Sequence, residues 1–214
     1  MRVTQVFVGR PQELTFRGDT VMSSIAKDPV TGPVRVHRLS LEGDAAADLT
    51  VHGGIDKAVY VYPREHYALW AKEHPDLTFF PGVFGENLST EGLLEPGVCI
   101  GDRFRIGSAT FAVTSPRMPC RKLGMRMGDP TFVRAFFRAL RNGFYLRVVE
   151  EGTLRPGDPV EPLGGDGHGL SVHEVARLYG ADRSDRDLWA KAVASPSLPA
   201  DWREHFLERE PTGG

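Results

Sequence analysis

The chain has 214 residues, of which 41% are hydrophobic and 25% are charged, and this composition is typical of a globular protein. Its formal net charge of −2 argues against a protein that binds nucleic acid through a broadly basic surface. No apolar run reaches the length of a transmembrane helix, and the first residues lack the hydrophobic segment of a secretory signal. The two cysteines, Cys99 and Cys120, are too few for a disulfide framework, although one bridge between them stays open. We therefore expect a cytoplasmic protein that binds neither membranes nor nucleic acid.

The first three quarters of the chain have the pattern of short strands separated by glycine and proline. Val34 and Val36 are predicted to share one face of a strand, and Gly107 with Ser108 forms a tight turn between two others. The predicted strands lie in RVTQVFVG, GPVRVHRLSL, VCIGDRFRIGSATFAVTS, GFYLRVVE and the end of RPGDPVEPL. Strands this short, with this turn chemistry, predict a mainly β domain that forms a barrel or a folded sheet.

Two helical patterns interrupt these strands. The first is PREHYALWAKEH, where Pro63 suits the first turn and Tyr67, Trp70 and Ala71 lie along one face. The second is DPTFVRAFFRAL, whose apolar residues recur at helical spacing with arginines on the other side. Both patterns predict helices that pack on a core. Contact of the second helix with a membrane surface is the alternative.

The composition changes after Leu163. The stretch GGDGHG is typical of a flexible linker, and SVHEVARLYG then has a capping-box pattern, Ser171 with Glu174, and a stop at Gly180. SDRDLWAKAVA and PADWREHFLERE predict two more short helices. We expect a β domain over residues 1–163, followed by a linker and a three-helix appendage over residues 164–214. The acid-rich last helix argues against DNA recognition, so a partner-docking or lid role is favoured.

The stretch PRMPCRKL, residues 116–123, is the first candidate site. Arg117, Arg121 and Lys122 are cations near Cys120, and neighbouring cations favour the reactive thiolate form of a cysteine. The flanking prolines predict a rigid loop rather than the interior of a helix. We expect a presented sulfur, which either attacks a substrate or binds a metal.

Other polar residues occur near glycine-rich bends. The bend at Gly53 and Gly54 permits positive φ or close approach to a ligand, and His52, Asp56 and Lys57 surround it. An ordinary turn with polar surface residues is the alternative for this stretch. The remaining candidates are an amide, a lysine and an arginine that faces either solvent or a polar interior, namely Asn87, Lys27 and Arg147.

Several familiar motifs are missing from the sequence. It contains no zinc-binding H-E-x-x-H or C-x-x-C, no phosphate loop, no dinucleotide G-x-G-x-x-G and no esterase nucleophile elbow. Cys99 lies in an apolar strand pattern and is predicted to be a small buried residue. The other histidines are predicted to be surface or capping residues, namely His66, His74, His168, His173 and His205.

Taken in order, these stretches resemble the MOSC family, which is named after the carboxy-terminal domain of molybdenum cofactor sulfurases. The resemblance is to its bacterial YiiM-like branch, and it covers most of residues 20–162. The stretches that carry it are SSIAKDPVTGPV, EGDAAADLTVHGGIDKAVYVYPREHY, FGENLSTEGL, CIGDRFRIG, PRMPCRKL and GFYLRVVE. The three predicted helices match the short appendage of that branch.

The resemblance implies a β-barrel that binds a molybdenum–pterin cofactor, with Cys120 as the metal ligand. A soft thiolate suits such a metal centre. Gly53, Gly54 and Asn87 are then candidates to contact the pterin. The cations at hand for its phosphate are Lys27, Lys57, Arg117, Lys122 and Arg147.

Related proteins reduce N-hydroxylated compounds, including hydroxylamino base analogues and amidoximes. The resemblance thus implies a molybdenum-dependent oxidoreductase that detoxifies such compounds, with His52 or Asp56 as candidate proton donor. The sequence has no flavin or iron–sulfur motif, so we expect a separate reductase or reductant as electron donor. A non-catalytic cofactor carrier is the first alternative. A cysteine-nucleophile enzyme that needs no molybdenum is the second.

Overall fold

The computed structural model describes residues 1–47, 53–180 and 185–209. Strands dominate the first part of the chain and helices the last. The strands are β1 Arg2–Val8, β2 Gln12–Phe16, β3 Asp19–Ser23, β4 Asp28–Val30, β5 Val34–His37, β6 Ser40–Leu41, β7 Val59–Pro63, β8 Leu88–Glu91, β9 Arg103–Ile106, β10 Ala109–Pro116, β11 Phe144–Glu150, β12 Gly152–Leu154 and β13 Val160–Gly164. The helices are α1 Glu65–Glu73, α2 Arg121–Met127, α3 Phe132–Arg138, α4 Val172–Tyr179, α5 Arg186–Ala194 and α6 Ala200–Glu208. The mainly β prediction is confirmed.

The main sheet has the strand order β13-β9-β10-β11-β7-β8-β1-β4. The β7–β8 pair is parallel, and its neighbours in the sheet pair antiparallel. The two edge strands of this sheet, β13 and β4, do not pair with each other, so continuous strand pairing does not close the barrel. Backbone bonds nevertheless join its two sides, because Val3 donates to the Asp158 carbonyl at 2.9 Å and Val160 donates to the Met1 carbonyl at 3.1 Å. The sheet therefore curls around one core.

Local sequence signals specify several of these strands correctly. Val34 and Val36 are both buried on β5, and β9 and β10 pair directly on either side of Gly107 and Ser108. Gly107 has φ 60°, a left-handed value that glycine adopts at little cost. Pro63 differs from its prediction, because it is the last residue of β7 rather than part of the first turn of α1.

An aromatic cluster fills the space between the sheet and helices α1 and α3. Trp70 on α1 lies parallel to Phe136 on α3, with ring centroids 5.6 Å apart, and both side chains are buried. The packing prediction for these two helices is thereby confirmed. Ala71 is exposed, contrary to prediction, and His66 lies on the buried side of α1 instead. His66 contacts Glu95 at 2.8 Å, so the prediction of a surface or capping histidine is wrong there.

The C-terminal helices share the hydrophobic core of the β part. Ile100 donates to the Leu170 carbonyl at 2.8 Å, and Val172 donates to the Val98 carbonyl at 2.9 Å, so the segment before α4 is bonded to the sheet side. The predicted capping box at Ser171 and Glu174 is confirmed. The buried apolar residues of the three helices belong to the same cluster as those of the main sheet.

Within residues 1–47, 53–180 and 185–209, the helices are all too short or too polar to span a bilayer.

Candidate functional site

Cys120 lies at the junction of a short loop and helix α2. The loop follows β10, and Cys120 is the extended residue immediately before the first helical residue, Arg121. The predicted rigid loop is therefore shorter than the PRMPCRKL stretch, because its last three residues are helical. Arg121 is largely exposed and lies 3.6 Å from Asp19, away from the cavity described next.

A cavity of about 120 Å³ opens beside Cys120. Its walls come from the segment after β3, the turn before β7, the bend at Gly85, and the β10–α2 loop. The residues proposed from sequence that line this cavity are Lys27, Gly53, Lys57, Asn87, Arg117, Cys120 and Lys122. The structure thus brings together residues spread over almost a hundred positions of the chain.

Arg117 is a buried cation at this cavity. Its side chain is buried, and the guanidinium lies 5.5 Å from the ring centre of Tyr60 and 5.3 Å from that of Phe136. Its Nη1 has no hydrogen-bond partner, and no carboxylate in the described part of the chain forms an ion pair with it. A buried cation is stable only with compensation, so this arrangement favours an anionic ligand.

The backbone around Arg117 is fixed by a neighbouring turn. The Asn142 amide donates to the Arg117 carbonyl at 3.0 Å, and the Arg117 N–H donates to the Gly143 carbonyl at 3.2 Å. Gly143 has φ 64°, and a Cβ there would lie 2.3 Å from the Val61 carbonyl oxygen. Only glycine fits this position, so the turn holds Arg117 in one place.

Lys27 and Asn87 differ from Arg117 because a carboxylate binds both of them. Asp44 forms a buried ion pair with Lys27, and its other oxygen accepts a bond from the Asn87 amide at 2.9 Å. Asn87 also accepts a bond from the Tyr60 N–H at 3.0 Å. Asp44 was not predicted as a site residue, because its surroundings EGDAAAD look like an exposed turn. In the structure, Asp44 neutralises one of the cations predicted to face a phosphate.

Two tyrosines that the sequence analysis did not select also line the cavity. Burial raises the pKa of Tyr60, and the Tyr60 hydroxyl donates to the Asn142 carbonyl at 2.8 Å. Burial likewise raises the pKa of Tyr145, an effect that the charge of Arg117 opposes and that an ionised Cys120 adds to. Both phenols are therefore neutral hydrogen-bond donors at neutral pH. Their positions on adjacent strands, β7 and β11, are the signal that could have identified them.

Asp56 and Arg147 lie together, but not at the Cys120 cavity. Arg147 Nε donates to Asp56 Oδ1 at 2.7 Å, and Arg147 lines a separate cavity of about 620 Å³. Gly54 has φ 85°, and a Cβ at this position would contact no other atom. Glycine is therefore favoured there by the backbone conformation of the bend and not by a close contact. His52, the other predicted proton donor, lies outside the described residues.

Cys99 and Cys120 are not joined by a disulfide. Cys99 is only partly buried, which corrects the prediction of a fully buried residue. Its N–H donates to Asp102 at 2.8 Å, and burial, followed by the charge of Asp102, raises its pKa.

Comparison with known proteins identifies the family. The profile of the MOSC domain matches residues 48–161, and that of the YiiM-like, 3-alpha helix domain matches residues 170–209. The chain belongs to the MOSC family. The uncharacterized protein YflK of Bacillus subtilis (strain 168) is 38% identical over 208 residues, covering 97% of this chain and 94% of YflK.

Two further MOSC relatives bear on structure and function. The crystal structure of YiiM from Geobacillus stearothermophilus has a TM-score of 0.82 and 32% identity, covering 98% of this chain and 99% of that one. A protein named reductase from Gibberella moniliformis (strain M3125 / FGSC 7600) is 33% identical over 196 residues. That match covers 90% of this chain but only 34% of the fungal protein.

MOSC domains are associated with binding of the molybdenum cofactor, and the residues at the Cys120 cavity fit such a group. Cys120 supplies the soft sulfur ligand that a molybdenum centre accepts. Arg117 presents a buried nitrogen without a partner, which suits the anionic phosphate of the cofactor. Lys57 and Lys122 add positive charge at the same cavity.

Proposed function

We propose that this protein binds the molybdenum–pterin cofactor through Cys120 and reduces N-hydroxylated compounds to amines or amidines. The observation that carries the proposal is the pairing of Cys120 with the buried, carboxylate-free Arg117 in one cavity. A neighbouring cation would also activate a cysteine nucleophile, but the Arg117 Nη1 without a partner favours an anionic ligand as well. The fungal relative named reductase supports the redox class, although this chain spans only a third of its length.

The chain's own residues divide into ligands and counter-charges. Cys120 holds the metal, and Arg117, Lys57 and Lys122 bind the phosphate. Lys27 and Asn87 form part of the cavity wall and are not assigned to the phosphate, because Asp44 pairs with Lys27 and accepts a hydrogen bond from Asn87. The cofactor, when bound, would supply the two-electron chemistry needed to reduce an N–O bond.

Reduction of an N-hydroxyl group consumes two electrons and two protons and releases water. A proton donor is therefore needed near Cys120. Tyr145 lines the cavity and burial raises its pKa, so it can orient the N–O oxygen of a substrate by donating a hydrogen bond, while the two protons come from solvent. Asp56 is bound by Arg147 and lies off the cavity, so its proposed role as proton donor loses support. A separate reductase or reductant in the cytoplasm would supply the electrons, since the sequence has no flavin or iron–sulfur motif.

The first test is the molybdenum and pterin content of purified protein from a host that makes the cofactor. We expect near-stoichiometric cofactor in the wild type, loss of it in Cys120→Ala, and retention in Cys99→Ala. The Cys99 variant is a matched control, because it removes the other cysteine of the chain. Absence of cofactor from folded wild type, even after reconstitution, would overturn the proposal. Cofactor without turnover of any N-hydroxylated compound would instead favour the carrier.

A further inference from the structure

A buried acidic residue lies behind the turn that fixes Arg117. Glu95 belongs to the connection between β8 and β9, and its side chain is only 1% exposed. It does not line the cavity at Cys120. A carboxyl group gives up favourable hydration when it is buried, so it needs polar partners inside the protein. The two partners of Glu95 show what this carboxyl does in the fold.

Each oxygen of the Glu95 carboxyl has a partner on a different element. Oε1 accepts a hydrogen bond from the Gly143 N–H at 2.8 Å, although the two residues are 48 positions apart. Oε2 lies 2.8 Å from Nε2 of His66, which is buried on α1. The carboxyl is therefore held between α1 and the turn that precedes β11.

The other bonds of this turn lead to Arg117. The Gly143 carbonyl accepts a bond from the Arg117 N–H at 3.2 Å, and the Asn142 amide donates to the Arg117 carbonyl at 3.0 Å. The Asn142 carbonyl accepts a bond from the Tyr60 hydroxyl, and the Arg117 guanidinium lies 5.5 Å from the centre of the Tyr60 ring. The turn thus joins Glu95 to both the backbone of Arg117 and the ring beside its charge.

Glu95 acts on Arg117 through the backbone and not by pairing with its charge. Within residues 1–47, 53–180 and 185–209, no ion pair joins Glu95 to Arg117, and Glu95 contacts His66 instead. The Arg117 Nη1 keeps no partner. A cation that is held in place and left uncompensated loses little conformational freedom when it binds an anion, so fixing its position increases affinity.

We propose that Glu95 is a positioning residue for the anion site, which holds the turn at Asn142 and Gly143 so that Arg117 points at the phosphate of the cofactor. This inference rests on the proposed function where it concerns the cofactor, but anion binding by Arg117 can be measured without one. The same bonds also stabilise the fold, so the test has to separate affinity from stability.

The probe is inorganic phosphate, titrated into the full-length, cofactor-free protein. Its dissociation constant is obtained from the NMR shifts of backbone N–H signals around the cavity. Glu95→Met removes the acceptor of the Gly143 bond and keeps a side chain of similar length, whereas Glu95→Gln keeps an oxygen that can accept this bond. Arg117→Met and the double variant complete a cycle that measures coupling between the two residues.

A further variant controls for stability. Val160→Ala truncates a buried side chain on β13, away from the turn. Urea denaturation of every variant shows which of them are destabilised. If Glu95 only stabilised the fold, variants with similar urea midpoints would bind phosphate equally well.

We expect Arg117→Met to weaken phosphate binding by about tenfold, the value of one charge-assisted hydrogen bond, and Glu95→Met to weaken it nearly as much. The double variant should be no weaker than Arg117→Met alone, because both changes remove the same interaction. Glu95→Gln should stay within about twofold of the wild type. Val160→Ala should lower the urea midpoint and leave phosphate binding unchanged.

Three results would overturn the inference: wild-type phosphate binding in Glu95→Met, fully additive losses in the double variant, or phosphate binding that is absent or does not depend on Arg117. The proposed function is judged separately by cofactor content. Coupled phosphate binding in a protein that never takes up molybdenum–pterin would refute the function and support the role of Glu95. Cofactor uptake with uncoupled phosphate binding would refute only the role of Glu95.

Discussion

Two arginines line two different cavities and differ in their environment. Arg117, just after β10, lines the cavity at Cys120, and Arg147 on β11 lines the larger one. Arg147 is 41% exposed and bound to Asp56, so its charge is balanced within the protein and screened by water. Arg117 is 6% exposed, lies against two aromatic rings and has one nitrogen without a partner. The smaller cavity is therefore the better candidate for an anionic ligand. A buried arginine without a counter-ion indicates an anion site better than the volume of a cavity does.

The largest expected effect comes from creating a second unpaired cation beside the first. Asp44→Ala leaves Lys27 buried without its carboxylate and removes a bond from Asn87. We expect the free energy of unfolding to fall by about 3–5 kcal/mol, as measured by urea denaturation. The double variant with Lys27→Met should recover most of this loss. An Asp44→Ala protein as stable as the wild type would show that buried cations in this wall cost little.

Removing the Arg117 charge should weaken cofactor binding without destabilising the cofactor-free protein. Arg117→Met loses a charge-assisted bond to the phosphate, so we expect cofactor affinity to fall by about tenfold or more. The stability of cofactor-free protein should stay within about 1 kcal/mol or rise, because a buried unpaired charge is replaced by an apolar side chain of similar length. Cofactor content and urea denaturation measure the two effects. Full cofactor retention by Arg117→Met would contradict the assignment.

Glu86 provides a pH-dependent test of burial near the same cavity. Its carboxyl accepts bonds from Tyr67, from the Gly82 N–H and from Ser89, and burial raises its pKa despite them. Above about pH 4.3, the unfolded chain releases the Glu86 proton before the folded protein does, so this residue lowers stability as pH rises towards its folded pKa.

Glu86→Gln keeps an oxygen acceptor but does not titrate. We expect its stability relative to the wild type to increase as pH rises from about 4.3, and to level off above the folded pKa of Glu86. Urea denaturation at several pH values measures this difference. Glu13→Gln, at an exposed position of β2, is the control and should show no such increase. A flat difference for Glu86→Gln would mean that the buried carboxyl titrates normally.

The smallest effect is expected at Arg147. Because its pair with Asp56 is partly exposed, Arg147→Gln should change stability by less than about 1 kcal/mol and leave molybdenum content unchanged. The same measurements as for Arg117→Met apply. A loss of cofactor from Arg147→Gln would return this residue to the phosphate site that the sequence analysis predicted for it.

The features predicted correctly from sequence depend on short-range signals. The turn at Gly107, the alternation of Val34 and Val36, and the capping box at Ser171 each need only a few neighbouring residues. Residue Cys120 was identifiable for the same reason, since its prolines and cations lie within four positions.

The features missed depend on contacts between distant parts of the chain. Asp56 and Arg147 are 91 residues apart in sequence, and no local pattern pairs them. His66 looked like a surface residue because its partner Glu95 comes 29 residues later. Asp44 was overlooked because its partners, Gly9, Lys27 and Asn87, come from separate segments. The site was therefore predictable as a set of residue types, but not as a network of charges.

The way the sheet curls together has a consequence for synthesis on the ribosome. Strand β1 is made before the other strands of the sheet, yet Met1 and Val3 are bonded to Val160 and Asp158, which follow nearly all of them. The barrel wall cannot be completed until those residues have left the exit tunnel, and contacts between such distant segments form slowly. The first half of that β1 edge therefore stays unpaired until then, whereas β4 can already pair with its second half at Val6–Val8.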